Sequence, residues 1–263
     1  MWRKRLFAAL LILVNAAISL ALRLKLERSL LIASVRTILQ LLLIGLVLHW
    51  VFRVEQIIVV VAMLSIMTGI AGYTAFSRAA HAYPGMLLDT MVAVWASSWF
   101  VLAFAMFAVL QGSRSWHDPQ YAIPLLGMIL GNTLNGITLG LAGVLDGFRS
   151  GRDQIESLLT LGATRWEAAR ESIQKALTTA MTPIINSMMV VGIVSLPGMM
   201  TGQLLSGVEP MEAVKYQIVI MFLIASATAL GSVGVVLLAY RRLFNRQHQF
   251  RYDVIRGRKE QRW

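Results

Sequence analysis

Residues 56–77 read QIIVVVAMLSIMTGIAGYTAFS, an unbroken stretch without a formal charge. A bilayer core of about 30 Å takes about 20 apolar residues to cross as a helix. This stretch therefore predicts a transmembrane helix by itself, and the chain on either side repeats the pattern. Spans are expected at 6–22, 30–52, 56–77, 88–112, 120–146, 177–200 and 214–240. The second reaches back to residue 30 only if Arg36 is tolerated inside the bundle, and the charge-free run after Lys175 continues to residue 208, longer than one span requires. The predicted fold is all-α, a polytopic transmembrane helical bundle of about seven spans, with a helix-elbow-helix segment at 149–175 and a basic tail at 241–263.

Composition agrees: 57% of the residues are hydrophobic, 14% are charged and the mean hydropathy is +0.67, far from the usual balance of a soluble domain. There is no cysteine among the 263 residues, which excludes disulfides, thiolate metal sites and cysteine nucleophiles. Arg3, Lys4 and Arg5 ahead of the first apolar block also suit a cleavable signal, but no small-residue cleavage site precedes Arg23. A retained helix is the expectation.

The net charge of +11 is distributed unevenly over the connecting segments. Arg23, Lys25, Arg28, Arg36, Arg78, Arg149, Arg152, Arg165, Arg170, Lys175 and the tail fall on one side; Arg53, Arg114 and Lys215 fall on the other. Cytoplasmic loops hold the excess of lysine and arginine, so the C-terminus and the 149–175 segment are expected in the cytoplasm and the N-terminus outside, in a multi-pass protein of the inner cell membrane. Arg3, Lys4 and Arg5 run against that assignment. Anionic lipid at the cytoplasmic face accounts for the basic charge, and no nucleic-acid partner is expected.

The segment from Arg149 is too polar to insert and too patterned for a plain loop. Ile155, Leu158 and Leu159 make one apolar face, and Gly162 can adopt the left-handed conformation that ends a helix. Thr164 stands three residues before Glu167, the spacing of a reciprocal N-terminal cap; Trp166, Ala169 and Ile173 edge the second helix. Such an element suits docking into a groove on another protein or resting on lipid headgroups.

Two membrane blocks hold more than an anchor needs. Pro183, Gly192, Pro197 and Gly198 interrupt the sixth, and the run Ser195 to Gln203 is hard to keep helical. Non-helical backbone at that depth is covered by protein or lines a watery path, as in the broken helices of transporters; alternatively Pro197 ends the span and the remainder skirts the far surface. In the fifth block, Gly131, Gly136, Gly140 and Gly143 permit close packing, while Asn132 and Asn135 act as interhelical glue or as path lining. The path candidates are Asn132, Asn135, Ser195, Met199, Met200, Thr201 and Gln203. Pro197 and Gly198 are structural or gating candidates, as are Arg36 and Gln40, one helical turn apart at the membrane edge.

No G-x-x-x-x-G-K-[ST] phosphate loop occurs in the sequence, so the chain is not expected to be an enzyme. His49, His81, His117 and His248 lack zinc-site spacing. Met199 and Met200 are soft donors that suit reduced copper or simply pack. Ligands for any metal stay unassigned.

The runs Leu161-Gly162-Ala163-Thr164, Ser195-Leu196-Pro197-Gly198-Met199-Met200-Thr201-Gly202 and Ala213-Val214-Lys215-Tyr216-Gln217-Ile218, with Arg36-Thr37-Ile38-Leu39-Gln40-Leu41 and Gly127-Met128-Ile129-Leu130-Gly131-Asn132 before them, resemble the FetB (YbbM) family of ABC transporter membrane subunits over nearly the whole chain. The basic N-terminus departs from the family pattern. The resemblance implies a permease linked to iron export and metal stress in bacteria, with plant relatives linked to aluminium tolerance and a sugar nucleotide. It also implies a separate cytoplasmic ATP-binding cassette ATPase carrying ATP and Mg, a homodimer in the membrane, and a coupling role for Glu156, Gly162, Ala163, Thr164, Trp166 and Glu167. An ATP-independent channel and a membrane scaffold are the rival classes.

Overall fold

The computed structural model describes residues 18–23, 26–54, 56–109, 119–245, 247 and 249–257. Most of the expected first span, Arg3 to Arg5, Lys25, Arg114, His117, His248 and the last residues of the tail lie outside the described residues. The chain divides into two units, residues 1–59 and 60–263.

The first unit holds α1 (Glu27–Val54) and the start of α2 (Ile57–Arg78). The 28 residues of α1 give it a length of about 42 Å, ample for a bilayer. Arg36 and Gln40 both lie exposed on it.

The second unit continues α2 and adds α3 (Met86–Phe104), closed by a wide π turn at Ala105–Val109, then α4 (Pro119–Ser150), α5 (Arg152–Thr160), α6 (Arg165–Val190), α7 (Gly198–Leu205) and α8 (Pro210–Leu243). A two-stranded antiparallel ribbon, β1 (His81–Ala82) with β2 (Arg256–Gly257), ties the α2–α3 connection to the C-terminal segment. Among the described residues, five helices are long and apolar enough to span a membrane: α1, α2, α3 with part of its π turn, α4 and α8. The protein is a multi-pass helical bundle.

Helix α4 is the hub, with α6 and α8 packed along its length and α3 against both α4 and α8. In lipid the hydrophobic effect does not drive helices together, so close contact between small residues takes over. A Cβ on Gly136 would meet Thr228 Cγ2 of α8 at 2.5 Å and Ser232 Oγ at 2.8 Å; one on Gly143 would meet Ala176 Cα of α6 at 3.3 Å. One on Gly231 of α8 would meet Thr133 Cγ2 at 2.8 Å. Gly131, one turn before, faces open space instead. Buried hydroxyls at Thr68, Thr90, Ser97 and Thr228 donate to the carbonyl one turn back, so these polar groups need no partner on another helix.

Pro183 does not interrupt α6, which runs through it to Val190. The break falls instead at residues 191–197, where Gly192 takes φ +83° and its N–H donates to Ser195 O at 2.9 Å. Pro197 then caps the start of α7, and Gly198 to Gln203 are helical. Proline's fixed φ is compatible with the entrance of a helix, which is why the Pro-Gly pair opens α7.

The 241–263 segment is built into the fold as far as residue 257. Phe244 and Phe250 stack with centroids 5.0 Å apart, Phe148 of α4 meets Phe244 edge-on at 5.4 Å, and the Arg152 guanidinium lies 4.4 Å from the Tyr252 ring centre.

Candidate functional site

Four places carry the chemistry, all within the second unit. The first is the elbow. Helix α5 closes in a left-handed glycine cap: Gly162 has φ +92°, its N–H donates to Leu159 O, and the N–H of Ala163 donates to Leu158 O at 3.0 Å, the paired bonds of a Schellman turn. Helix α6 opens immediately with the reciprocal cap the spacing predicts. Thr164 N–H donates to Glu167 Oε2 at 2.7 Å and Glu167 N–H donates to Thr164 Oγ1 at 3.3 Å. The backbone N–H and then the hydroxyl of Thr164 hold the Glu167 carboxyl below its ordinary range. Ile155, Ala168, Ala169 and Ile173 are buried, and Glu156 pairs with Arg152 at 2.8 Å. The tip points the other way: Leu161 is 85% exposed and Trp166 45% exposed, although the indole also meets Tyr240 edge-on.

The second place is the charged end. Asp89, buried near the start of α3, accepts from Tyr83 Oη at 3.0 Å and pairs with Arg242 of α8 at 3.1 Å. Burial, first, and the neighbouring Asp89 charge push the Tyr83 phenol far above its ordinary pKa, so it remains a donor. His81 links Asp146 and Arg149 at the end of α4, and Arg165 donates to Asn245 O at 3.1 Å. The elbow, the ends of α4 and α8 and the start of α3 therefore share one end of the unit.

The third place is an exposed polar face on α6 with its neighbour on α4. On α6, Thr178, Thr182 and Asn186 recur every four residues and are all exposed, with Gln174, Lys175 and Thr179 beside them. The hydroxyls of Thr178, Thr179 and Thr182 bond back along their own helix. On α4, Asn135 is exposed near the helix midpoint and its side-chain oxygen accepts from the Arg78 guanidinium at 3.4 Å. Asn132 is half-buried and donates to Met128 O of its own helix. Of the two asparagines, only Asn135 thus meets another helix through these bonds. Arg78, Thr178, Thr182 and Asn186 escaped the sequence reasoning; the four-residue recurrence of polar groups in an otherwise apolar block was the available signal.

The fourth is the junction beyond the break. Ser195 is exposed in the connection, Thr201 Oγ1 donates to Pro197 O at 3.1 Å, and Met199, Met200 and Gln203 are half-buried on α7. Helix α7 packs on α8, where Gln217 is buried. The structure thus places Asn132 and Asn135 on α4, and Ser195 with Met199 to Gln203 in a separate cluster. Among the described residues no group of three or more His, Asp or Glu side chains is placed to hold a metal ion.

The profile of an uncharacterised protein family, UPF0014, matches residues 2–244. A UPF0014 membrane protein of Synechocystis sp. is 39% identical over 90% of this chain and 92% of its own length. The Escherichia coli protein named "Probable iron export permease protein FetB" is 31% identical over 92% of both chains. ALUMINUM SENSITIVE 3 of Arabidopsis thaliana is 30% identical over 94% of this chain and 89% of its own length. No solved structure matches the chain.

Proposed function

This chain belongs to the UPF0014 family of membrane proteins, and from that premise we propose that it is the permease subunit of an ABC exporter for iron or another metal ion, driven by ATP hydrolysed on a separate cytoplasmic subunit. The observation that carries the reading is the elbow. An almost fully exposed leucine stands at the tip of a doubly capped turn, Leu161 next to Gly162, and the helix leaving that turn is α6, which bears the polar face. An apolar tip on a rigid mount suits insertion into a groove of a partner. A push delivered there is transmitted along α6, because Gly143 and Gly147 bring α4 against it with little room to slip. Two copies of the chain would line a path with Asn135, Thr178, Thr182 and Asn186, and access would alternate between states that differ in affinity for the cargo.

In this reading the charged end is cytoplasmic, as is the C-terminus, while the N-terminus lies outside and the membrane is the inner one. ATP and Mg reside on the ATPase partner. The name of the Escherichia coli relative supports iron as cargo. A second cargo class, an anion such as a nucleotide sugar, is favoured by one feature: Arg78, not a carboxylate, meets Asn135 on the polar face.

The test is reconstitution. The chain co-expressed with an ATP-binding cassette subunit and incorporated in vesicles should move iron only with ATP, and Gly162→Val with Leu161→Asp should abolish both the ATPase stimulation and the flux. Flux without nucleotide would replace the transporter by a channel, and unchanged coupling in the variant would remove the elbow from the mechanism.

A further inference from the structure

The end of α6, the helix α7 and the first turns of α8 line a half-open cavity of about 360 Å3. Three of its lining residues are methionines, one from each element: Met188 of α6, Met200 of α7 and Met221 of α8. The fourth notable lining residue is Gln217, only 6% exposed, whose side-chain oxygen has no hydrogen-bond partner among the described residues. A second amide oxygen in the same state, that of Gln203, lies one turn along α7 from Met200.

A buried carbonyl oxygen left unpaired is costly, and it points to a ligand that brings positive charge or a hydrogen to it. Thioethers are flexible, polarizable and soft, and they select soft cations over hard ones. No carboxylate or imidazole lines the cavity, so a hard divalent ion would meet no compensating charge there. A weakly hydrated ion of single charge suits neutral sulfur and amide donors better.

We propose that this junction is a site for a soft monovalent transition-metal cation, reduced copper or silver, held by the sulfurs of Met188, Met200 and Met221 and by the Gln217 amide oxygen. Its role as a cargo site rests on the reading of the chain as a metal permease and adds a cargo class to it, whereas the binding itself does not. It bridges α6 and α8 across the break at residues 191–197, so occupancy would fix the far end of the helix that carries the elbow at its near end.

Silver(I) is the redox-inert probe. The full chain, purified in detergent without ATP or partner, is titrated with silver and bound metal is counted by equilibrium dialysis. One saturable site should weaken several-fold in Met200→Leu and again in Met221→Leu, with unchanged melting temperature. Gln217→Leu should weaken it further, whereas Gln217→Glu should tighten it, because a carboxylate replaces a neutral oxygen beside a cation. Equal silver binding by the wild type and the Met188→Leu/Met200→Leu/Met221→Leu variant, or weaker binding by the glutamate variant, overturns the site. Methionine-dependent binding without any ATP-driven flux would sink the permease reading and leave the site standing; ATP-driven iron flux without such binding would do the reverse.

Discussion

Helices α6 and α8 pack on the same partner, α4, yet they turn different chemistry outward. The outward face of α8 is apolar: Ile218, Phe222, Leu230 and Val233 are all exposed. The corresponding surface of α6 shows Thr178, Thr182 and Asn186. α8 therefore suits direct contact with lipid tails. α6 does not, because polar side chains at depth belong against protein or a water-filled space. Hydropathy alone counts α8 as a span and passes over α6, although the small residues of α4 hold both helices at similar closeness. Position in a membrane protein is thus set by packing as much as by oiliness, and the helix that looks less suited to lipid is the one joined to the elbow.

The sharpest way to break this comparison is a matched pair of arginines. An arginine in the middle of a lipid-facing helix costs about 3 kcal/mol on insertion scales. Leu230→Arg on α8 should therefore sharply reduce the membrane-inserted fraction in a glycosylation-mapping assay, and Thr182→Arg on α6 should leave it nearly unchanged. Equal losses would mean that both helices face lipid.

A smaller effect separates the hub from its open flank. Gly136→Leu places side-chain atoms where Thr228 and Ser232 already stand, and overpacking of this kind costs about 1–3 kcal/mol. Its melting temperature in detergent should fall well below the wild type. Gly131→Ala, with open space around it, should move by less than about 0.5 kcal/mol. Equal stability of the two variants would deny that close approach at Gly136 holds α6 and α8 to α4.

The smallest effect concerns the start of α6 alone. Thr164→Ala removes the reciprocal cap and should cost about 1 kcal/mol of helix stability, read as faster amide exchange over residues 165–168 and not at the start of α8. The cap also sets a pH dependence. The Glu167 carboxyl is held low in the fold by Thr164, so its stabilisation is complete above the ordinary carboxylate range and is lost as pH falls through the lowered value. The protection factors there, with the intrinsic pH dependence of amide exchange divided out, should fall on acidification in the wild type and much less in Glu167→Gln.

These contrasts also mark how far the amino-acid order could be read. Charge-free blocks marked where α2, α4 and α8 run, because a long apolar stretch is legible without knowing what it packs against. Gly162 and the Thr164–Glu167 pair were legible because capping is local chemistry, settled within a few residues. The break falls at Gly192 and Pro197, two of the four residues expected to interrupt the block, but Pro183 stays inside α6 and Gly198 to Gln203 are helical, since proline's effect depends on which backbone groups its neighbours satisfy. Arg78 beside Asn135 and the methionines around Gln217 were not legible as groupings, because only tertiary packing brings residues so far apart in the chain together.

The ribbon between His81–Ala82 and Arg256–Gly257 carries a consequence for biosynthesis. The earlier strand leaves the ribosome long before its mate exists, so the aromatic lid formed by Phe244 and Phe250 over Phe148 can close only once residue 250 has been made. Until then Phe148 has Phe244 but not Phe250 against its ring. The end of α4 therefore reaches its final packing later in synthesis than the helices that surround it.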